Sequence, residues 1–480
     1  MPAAEGPVRG PGLRLQRLRR VRDDQGRRRT RLARRRAGDD GEPARLQARG
    51  LRRGSDVFRA GGGAASEGRL GKLTPESLLH RPPERPSFTP RPARAGAILV
   101  SAAAGRRIDG DPAMRPALFA LLLAAAPAAA ETFPSSAGPL AVERIAGGLE
   151  NPWALAFLPD GRLLVTERPG RLRILSGGAL SEPITGVPDV YARGQGGLLD
   201  VAPARDFADS GLLFLSYAEP AEGGRARTAV ARARLAGDRL EDVRVIFRQA
   251  PALEGGRHFG SRVVEAEDGT LFVTLGDRGN RPMAQDPTNH VGKLVRIARD
   301  GAIPTDNPFA DGAQALPEIY SLGHRNTQGA DLDAEGRLWV VAHGARGGDE
   351  FNRPEAGRNY GWPVISYGRH YSGAPIGEGT EKPGMEQPLF VWDPSIAPSG
   401  LSVYDGALFA DWTGDLFVGA LRGRMLVRVE IEDGAPTGVE ERLLPDAFGR
   451  IRDVETGPDG ALWFVTDEDP GGIFRSAPAD

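Results

Sequence analysis

The chain of 480 residues contains no cysteine, which excludes disulfides, thiol nucleophiles and thiolate metal sites. It also lacks a G-x-S-x-G nucleophile elbow, a G-x-G-x-x-G fingerprint after a strand and an H-E-x-x-H zinc helix. These absences argue against a serine hydrolase, a dinucleotide-dependent enzyme and a zinc protease. Histidine is rare, with 6 residues in the whole chain. A histidine inside a glycine-rich polar turn is therefore a candidate for proton transfer.

The net charge of −1 hides two unlike parts of the chain. Residues 1–113 contain 26 Lys and Arg against 12 Asp and Glu, whereas residues 114–480 contain 36 against 51. A basic stretch of this kind suits a nucleic-acid-binding arm. Its Arg, Gly, Ala and Pro composition equally suits a segment that cannot bury enough apolar surface to fold.

A third interpretation of the basic stretch begins at Met114, where the sequence restarts as MRPALFALLLAAAPAAAETF. A positive residue, a short apolar run and small residues before Glu131 form the pattern of a secretory signal peptide. The apolar run is shorter than the roughly 20 residues that span a bilayer. We therefore predict a signal peptide at 114–130 and, at 1–113, a non-native or disordered extension from an over-extended gene prediction. The alternatives are a membrane-anchoring segment and an alanine-rich linker.

The rest of the chain repeats one short pattern, a turn dipeptide followed by an apolar strand, which is typical of hairpins. Six copies predict an all-β fold, a six-bladed β-propeller of four-stranded antiparallel blades at 140–477, after a short linker at 131–139. A β-sandwich is the alternative, but its turns would recur about every 8–12 residues without a longer repeat. The six dipeptides are Asp160-Gly161, Ser210-Gly211, Asp268-Gly269, Glu335-Gly336, Thr413-Gly414 and Asp459-Gly460.

The loops of all blades meet at one end of a propeller channel, and the polar motifs of this chain lie in such loops. His258, in GGRHFGSRVV, suits proton abstraction because the ordinary pKa of histidine is near 6.5. An isolated histidine is nevertheless more often structural than catalytic. Arg325 and Asn326, in GHRNTQG, place several hydrogen-bond donors on one loop, and the arginine fork suits a carboxylate or a carbonyl.

Two further motifs suit a cation and an anion. In HGARGGDEFN, at 343–352, glycines allow consecutive carbonyls to turn toward a hard cation such as calcium, and Glu350 adds negative charge. An ordinary acidic loop is the alternative. Arg450 and Arg452 alternate along a strand and should share a face, and with Arg422 they suit a polyanionic small ligand or a solvated basic edge. Gln195, in GQGGLLDV, is individually a weak candidate.

Taken together, these motifs resemble the soluble glucose/sorbosone dehydrogenase family that depends on pyrroloquinoline quinone (PQQ), and in particular its aldose sugar dehydrogenase branch. The resemblance extends over about residues 140–475, and residues 1–113 have no counterpart in it. The segments that carry it are NPWALAFLPDG, RHFGSR, GDRGN, GKLVRI, GHRNTQG, NYGWP and IRDVETGPDG.

The resemblance implies oxidation of an aldose at its anomeric carbon to a lactone, with PQQ and Ca²⁺ as cofactors. His258 would take the proton from the anomeric hydroxyl while a hydride passes to the quinone, and Arg325 would polarise the accepting carbonyl. The other implied contacts are Gln195, Asn326, Arg422, Arg450 and Arg452 with PQQ, the backbone oxygens of Gly344 and Ala345 with calcium, and Glu350 and Tyr360 with a second calcium.

The sequence departs from the family pattern at several positions. Arg422 stands where the best-known glucose dehydrogenases carry lysine, so the geometry of that cation differs. Ala345 replaces a proline, which leaves a backbone carbonyl ligand intact. Arg257 replaces an acidic residue before the histidine, which puts the orientation of the substrate in doubt. One family ligand of the second calcium is absent.

The resemblance implies aldose sugars and an external electron acceptor as partners, no nucleic acid and no stable membrane insertion. The predicted signal peptide implies a periplasmic or secreted protein, and we expect a monomer or weak dimer. Two other classes stay open: a calcium-dependent six-bladed lactonase, and a propeller binding module without a cofactor. A lactonase needs carboxylates and Asn around its metal but no arginine clamp, so Arg325, Arg450 and Arg452 favour PQQ. The presence of His258 beside them argues against a protein that has lost its cofactor.

Overall fold

A computed structural model describes residues 130–479, and almost all of its regular structure is β-strand. The predicted extension at 1–113 and the predicted signal peptide at 114–130 lie outside the described residues, except for Ala130. No helix in the described part of the chain is long and apolar enough to cross a membrane.

The strands are short and rich in Val, Leu, Ile and Phe, which suits strands that are buried on both faces between neighbouring blades. The first two strands are β1 (Glu131–Phe133) and β2 (Leu140–Leu149). The next four are β3 (Pro152–Phe157), β4 (Leu163–Glu167), β5 (Arg171–Ser176) and β6 (Ala179–Leu180). They are followed by β7 (Leu198–Pro203), β8 (Leu212–Ala221), β9 (Arg225–Ala236) and β10 (Arg239–Arg248).

The second half of the chain continues the same arrangement. Its strands begin with β11 (Gly260–Glu265), β12 (Thr270–Leu275), β13 (Lys293–Ala298) and β14 (Ile319–Leu322). Next come β15 (Thr327–Leu332), β16 (Leu338–Ala342), β17 (Asp349–Asn352) and β18 (Phe390–Trp392). The last are β19 (Pro398–Val403), β20 (Leu416–Ala420), β21 (Met425–Glu432), β22 (Ala435–Leu443), β23 (Ile451–Thr456), β24 (Leu462–Thr466) and β25 (Gly471–Pro478). The short helices are α1 (Phe207–Ser210) and the 3₁₀ turns Glu222–Gly224, Arg281–Gln285 and Ala410–Trp412.

These strands form six antiparallel sheets, so the predicted six-bladed β-propeller is confirmed. Blades 1 to 5 are the consecutive groups β3–β6, β7–β10, β11–β14, β15–β18 and β19–β22. The first strands of neighbouring blades contact one another around a ring and so line a central channel. Each predicted turn dipeptide precedes the second strand of its blade, as Asp160-Gly161 precedes β4. Gly161 has φ +82°, a conformation that glycine adopts without strain.

Blade 6 joins the two ends of the described chain. Its strands β23, β24 and β25 come from the end of the sequence, and β2 completes the sheet by pairing with β25, from Leu140 opposite Pro478 to Leu149 opposite Gly471. Strand β1 then adds a fifth strand to β2, so the segment predicted as a linker at 131–139 contains a strand. The exposed edge of β2 offers unpaired backbone groups, which β1 satisfies.

Six apolar clusters form a ring, one between each pair of neighbouring blades, and a seventh, small cluster lies in the loops around Trp362. Trp153 of blade 1 packs with Leu215 of blade 2, for example, and Val165 of blade 1 packs with Ile473 of blade 6. The other four clusters fill the remaining blade interfaces in the same way. Because the clusters hold the blades in place, the loops at the channel ends keep fixed positions.

A buried ion cluster crosses the channel itself. Arg262 on β11 is 5% exposed and donates to Asp200 of blade 2 at 2.9 Å and to Asp453 of blade 6 at 2.8 Å. Its guanidinium carbon lies 4.6 Å from the ring centroid of Trp153 in blade 1. Burial raises the pKa of Asp200 to about 6, which the charge of Arg262 opposes. Arg262 Nε also donates to the carbonyl of Gln328 in blade 4 at 3.4 Å, so one side chain connects five of the six blades.

Candidate active site

The predicted site residues gather at one end of the channel, where the first strand of each blade begins and the second strand ends. Gln195, His258, Arg325, Asn326 and Arg450 precede first strands, and Arg452 lies on β23. Gly344 and Ala345 follow the second strand β16. The propeller therefore brings together residues that are far apart in the sequence.

His258 forms a hydrogen-bonded pair with Asp277, at 2.6 Å between Nδ1 and Oδ1. Because a carboxylate only accepts, Nδ1 carries the ring hydrogen, and Nε2 makes no hydrogen bond within residues 130–479. The backbone N–H of His258 donates to Gln195 Oε1 at 2.7 Å. His258 has φ +55°, a left-handed conformation that is uncommon for a residue with a side chain. Contacts from two neighbouring loops thus hold the imidazole in place.

The surroundings keep His258 in its neutral form. Burial lowers the pKa of His258, the hydrogen bond to Asp277 opposes this, and the charge of Arg325 lowers the pKa further. The pKa of Asp277 is lowered even though burial raises it, since the hydrogen bond from His258 favours the carboxylate. At neutral pH the pair is therefore an imidazole beside a carboxylate, which is the arrangement that a general base requires.

Arg325 and Trp362 complete this side of the site. Trp362 Nε1 donates to the second carboxylate oxygen of Asp277 at 2.9 Å. The guanidinium carbon of Arg325 lies 5.4 Å from the Trp362 ring centroid, and its Nη1 donates to the carbonyl of His343 at 3.1 Å. Arg325 is 8% exposed, so its charge acts in a poorly solvated place.

Three arginines surround one carboxylate on the other side of the site. Asp467 accepts from Arg452 at 2.6 Å and from Arg450 at 3.3 Å, and the two arginines therefore share a face as predicted. Arg168 donates to the same carboxylate at 3.3 Å. Although burial raises it, the charges of Arg452 and Arg168 hold the pKa of Asp467 well below its usual range. Three cations against one anion leave an excess of positive charge.

This arginine cluster lines a cavity of about 260 Å³ that also reaches Gln195, Phe259 and His343. Four buried nitrogen atoms in and beside the cavity have no hydrogen-bond partner among the described residues: Arg168 Nε, Arg325 Nε, Asn326 Nδ2 and Arg452 Nε. All four are donors. Since buried polar atoms are nearly always paired, such a set points to a ligand rich in acceptor oxygens.

The loop that begins at Gly344 lies beside the same site, because the preceding residue, His343, lines the cavity. The Gly344 N–H donates to Asp349 Oδ1 at 2.8 Å, and the backbone N–H groups of Ile396 and Ala397 donate to Asp349 Oδ2. Asp349 thereby fixes the loop. A β-bridge also pairs Ala345 with Gly347 in the same loop. The adjacent backbone carbonyls of Gly344 and Ala345 are the type of oxygen ligand that a hard cation prefers.

The second predicted calcium site, at Glu350 and Tyr360, stays a prediction. The Tyr360 hydroxyl already donates to the carbonyl of Arg353 at 2.9 Å and accepts from the Glu355 N–H at 3.0 Å. Burial raises the pKa of Glu350 to about 7. No group of three or more His, Asp or Glu suited to a metal occurs in the described part of the chain.

Arg325, Asn326 and Arg422 are predicted cofactor contacts that do not line the cavity, and of these Arg422 is the most exposed. Its side chain is exposed, whereas the preceding residue, Leu421, lines the cavity. The backbone N–H of Arg422 donates to Ile396. Its role in binding a cofactor therefore stays a prediction.

Asp277, Trp362, Arg168 and Asp467 were not singled out from the sequence. Asp277 and Trp362 lie in GDRGN and NYGWP, segments that carry the family resemblance, so a weak signal existed for both. Arg168 and Asp467 each follow the second strand of a blade, β4 and β24. That recurring position marks the same channel end and could have identified them.

A larger cavity, of about 810 Å³, lies at the opposite end of the channel, where the first strands end. Most of the charged residues that line it are acidic, and they include Asp331 and Glu455. Burial raises the pKa of Asp331 to about 7. It contains none of the histidine and arginine residues described above, whereas the smaller cavity is lined by His343, Arg450 and Arg452 and lies beside His258 and Arg325. We therefore place the chemistry at that end of the channel.

We expect Asp277→Asn to lower kcat by about 10²- to 10⁴-fold with a smaller change in KM, because an amide no longer fixes the Nδ1–H tautomer of His258. The acid limb of the pH–rate profile should also move to lower pH, since the carboxylate raises the pKa of His258. Steady-state kinetics across pH test this. Asp405→Asn, at the exposed opposite mouth, is the matched control, and equal losses in both variants would contradict the assignment.

Comparison with known proteins identifies the class. The family model of "Glucose / Sorbosone dehydrogenase" matches residues 149–475. "Aldose sugar dehydrogenase YliI" of Escherichia coli is 46% identical over 344 residues, which cover 70% of this chain and 92% of that protein. "Quinoprotein glucose dehydrogenase B" of Acinetobacter calcoaceticus is 25% identical over 415 residues, which cover 69% and 86%.

Solved structures agree with this assignment. The crystal structure of the soluble aldose sugar dehydrogenase from Escherichia coli in its apo-form has a TM-score of 0.69 and 45% identity, and the match covers 71% of this chain and 100% of that chain. The PQQ-bound aldose sugar dehydrogenase from Streptomyces coelicolor has a TM-score of 0.58 and 26% identity, with coverage of 70% and 98%. Fold, site and relatives together define a propeller sugar dehydrogenase, an oxidoreductase. The chain belongs to the glucose/sorbosone dehydrogenase family, so the resemblance read from the sequence is confirmed.

Proposed function

We propose that this protein oxidises aldose sugars at the anomeric carbon to lactones, with PQQ and calcium as cofactors. The observation that carries the proposal is the set of four buried donor nitrogens without partners, beside a cavity with excess positive charge. PQQ has three carboxylates and two quinone oxygens, so it is an acceptor-rich anion of the kind this donor set requires. Relatives that are described as a quinoprotein and as PQQ-bound support the choice.

In this proposal the arginine cluster and Arg325 have separate tasks. Arg168, Arg450 and Arg452 would hold carboxylates, because planar guanidinium groups match carboxylates in a bidentate manner. Arg325 and Asn326 would donate to oxygens on the reacting side. When bound, PQQ supplies the two-electron acceptor for the hydride of the anomeric C–H bond. An external acceptor would then remove the electrons.

His258 is the proposed general base. Its Nε2 would accept the proton of the anomeric hydroxyl as the C–H bond breaks, so that the sugar loses one proton and one hydride. Asp277 would stabilise the imidazolium that forms and would keep its ring oriented through the bond to Nδ1. The positive charge of Arg325 would stabilise the negative charge that develops on the acceptor side.

Calcium would lie at the carbonyl oxygens of Gly344 and Ala345. A cation there would orient the cofactor and act as a Lewis acid. The described residues offer carbonyls, not a group of three carboxylates, and this disfavours the alternative of a carboxylate-ligated lactonase. A second calcium at Glu350 and Tyr360 stays a prediction.

The test is reconstitution of the full chain purified without cofactors. We expect dye-linked oxidation of glucose or another aldose to require both PQQ and calcium, and to disappear with a calcium chelator. The absorbance of bound PQQ reports binding independently of turnover. A chain that neither binds PQQ nor oxidises any aldose of a broad panel would overturn the proposal and favour the binding-module alternative.

Arg452→Met should weaken PQQ binding by about 10- to 100-fold, since a hydrogen bond to a charged group contributes about 1.5–3 kcal/mol. Arg452 is 7% exposed and bonds Asp467, so its removal also frees a buried carboxylate that repels the ligand. Titration of PQQ, followed by absorbance, measures the change. Arg299→Met removes an arginine that pairs with Asp206 and Glu265 away from the cavity, and an equal loss there would contradict a specific role.

We also propose that residues 114–130 act as a signal peptide and that the enzyme works in the periplasm or outside the cell. The N-terminal sequence of the protein recovered from the periplasmic fraction tests this. Cleavage before Glu131 is the expected result, and an uncleaved protein in the cytoplasm would refute the proposal.

A further inference from the structure

Arg281 is a cation beside the reacting groups that the proposed chemistry does not use. It begins the 3₁₀ turn Arg281–Gln285, a few residues after Asp277. Gln285, at the other end of the turn, donates to the carbonyl of Trp362 at 2.8 Å and to Asn359 Oδ1 at 3.0 Å. These bonds fix the turn, and with it Arg281, against the segment that contains Trp362.

Two guanidinium groups share the indole of Trp362. The guanidinium carbon of Arg281 lies 5.3 Å from the ring centroid and that of Arg325 lies 5.4 Å from it. The same indole donates to Asp277, the partner of His258. The indole of Trp362 therefore contacts both Arg281 and the His258–Asp277 pair. Burial lowers the pKa of Arg325, and the nearby charge of Arg281 lowers it further.

Arg281 has no carboxylate partner in residues 130–479, where its recorded hydrogen bond runs from Nη1 to Nδ1 of His370 at 2.9 Å. Histidine here is a neutral acceptor, so the bond orients the guanidinium without cancelling its charge. Arg257, next to His258, is exposed and adds another cation at this side. By contrast, the arginines of the cofactor cavity share Asp467.

Like His258 and Arg325, Arg281 does not line the cofactor cavity. The indole of Trp362, which Arg281 contacts, also donates to Asp277, so Arg281 lies on the His258 side, where the sugar must place its anomeric hydroxyl. A half-buried arginine that is held in place and lacks an anion is suited to bind one.

We propose that Arg281, supported by Arg257, recognises an anionic group on the substrate, so that the enzyme prefers aldoses carrying a carboxylate or a phosphate ester away from the anomeric carbon. This inference rests on the proposed sugar oxidation and names its substrate class. The anionic group binds but does not react. The anomeric carbon is oxidised as before, by loss of one proton and one hydride.

The experiment compares glucose with glucuronate and glucose 6-phosphate, which share its ring stereochemistry, on the PQQ- and calcium-loaded full chain. We expect kcat/KM for at least one anionic sugar to exceed that for glucose by about 10-fold or more, chiefly through KM. High salt should reduce the advantage, because it screens charges. The carboxylate and the phosphate substrates distinguish the two sources of anion.

Arg281→Gln should lower the anionic-to-neutral ratio of kcat/KM by about 10- to 100-fold, as expected for a hydrogen bond to a charged group. Arg281→Lys should retain part of the preference. Arg353→Gln is the matched control. The guanidinium carbon of Arg353 also lies over an indole, 5.5 Å from the ring centroid of Trp339, but Trp339 and Trp362 lie in different parts of blade 4. This substitution should leave the ratio unchanged. Thermal unfolding and PQQ titration of each variant accompany the kinetics.

The inference would be overturned if kcat/KM for glucose equalled that for both anionic sugars, or if Arg281→Gln left the anionic-to-neutral ratio unchanged. Either result would leave the proposed oxidation intact. A loss of PQQ affinity in Arg281→Gln, with equal losses for all sugars, would assign Arg281 to the cofactor and also overturn the inference. Failure to bind PQQ and to oxidise any sugar would instead refute the proposed function.

Discussion

His258→Asn should lower kcat/KM for the oxidised sugar by about 10²- to 10⁴-fold, the usual contribution of a positioned general base. Asparagine removes the base with the least backbone strain. His258 has φ +55°, and asparagine tolerates this left-handed conformation better than most residues. The fold should therefore survive the change. Steady-state kinetics with the PQQ- and calcium-loaded protein measure the loss, and the thermal midpoint verifies folding.

The pH dependence of the unsubstituted enzyme supplies an independent check. Burial lowers the pKa of His258 below its ordinary value of 6.5, so the imidazole is unprotonated at neutral pH. We expect kcat/KM to be level from about pH 7 upward and to fall as acid protonates the base. His290→Asn is the control, because His290 pairs with Glu318 elsewhere in blade 3. An acid limb that persists unchanged in His258→Asn would rule out His258 as its source.

The second large effect should be on stability. Arg262→Met should lower the free energy of unfolding by about 3–5 kcal/mol, because it leaves the buried carboxylates of Asp200 and Asp453 without their cation. Glu455, whose pKa is raised by burial and by the charge of Asp453, adds to the uncompensated negative charge. Urea unfolding followed by tryptophan fluorescence measures the change.

The sign of the pH dependence follows from the carboxylates. Burial already raises the pKa of Asp200 to about 6, and removal of Arg262 should raise it further. A carboxyl group whose pKa is raised in the folded state contributes to stability below that pKa, and this contribution is lost as the pH rises through it. The loss of unfolding free energy in Arg262→Met should therefore be smaller at pH 5 than at pH 8. Arg162→Met, which removes an exposed pair with Asp160, should cost less than about 1 kcal/mol. A deficit no larger than that of the control would disprove the role of the ion cluster.

The sequence predicted the propeller because each blade repeats one local signal. A turn dipeptide such as Asp268-Gly269 and the apolar strand after it are neighbours in the chain, so their pattern is visible without any tertiary contact. His258 and Arg325 were also predictable, since each lies in a polar, glycine-containing motif. Strand β1 was not, because three residues that pair with an edge carry no periodicity of their own.

The site could be predicted only in part for a related reason. Asp467 is important because three arginines from different segments surround it, and nothing in its local sequence shows that they meet. Arg262 likewise connects blades 2, 3 and 6 through contacts that span most of the chain. Arg422 is the reverse case. The sequence singled it out because its position matches a family contact, but its side chain is exposed and lies outside the cavity.

The way blade 6 is assembled also bears on how the protein is made. During translation β2 leaves the ribosome before any complete blade, and its partner β25 leaves last. Until then β2 has no neighbour on that side, and the ring of blades cannot close. Bringing these distant segments together is a slow, late event that follows local hairpin formation. Ribosome stalling before β25 would therefore yield an open, aggregation-prone arc with exposed edges on β2 and β24.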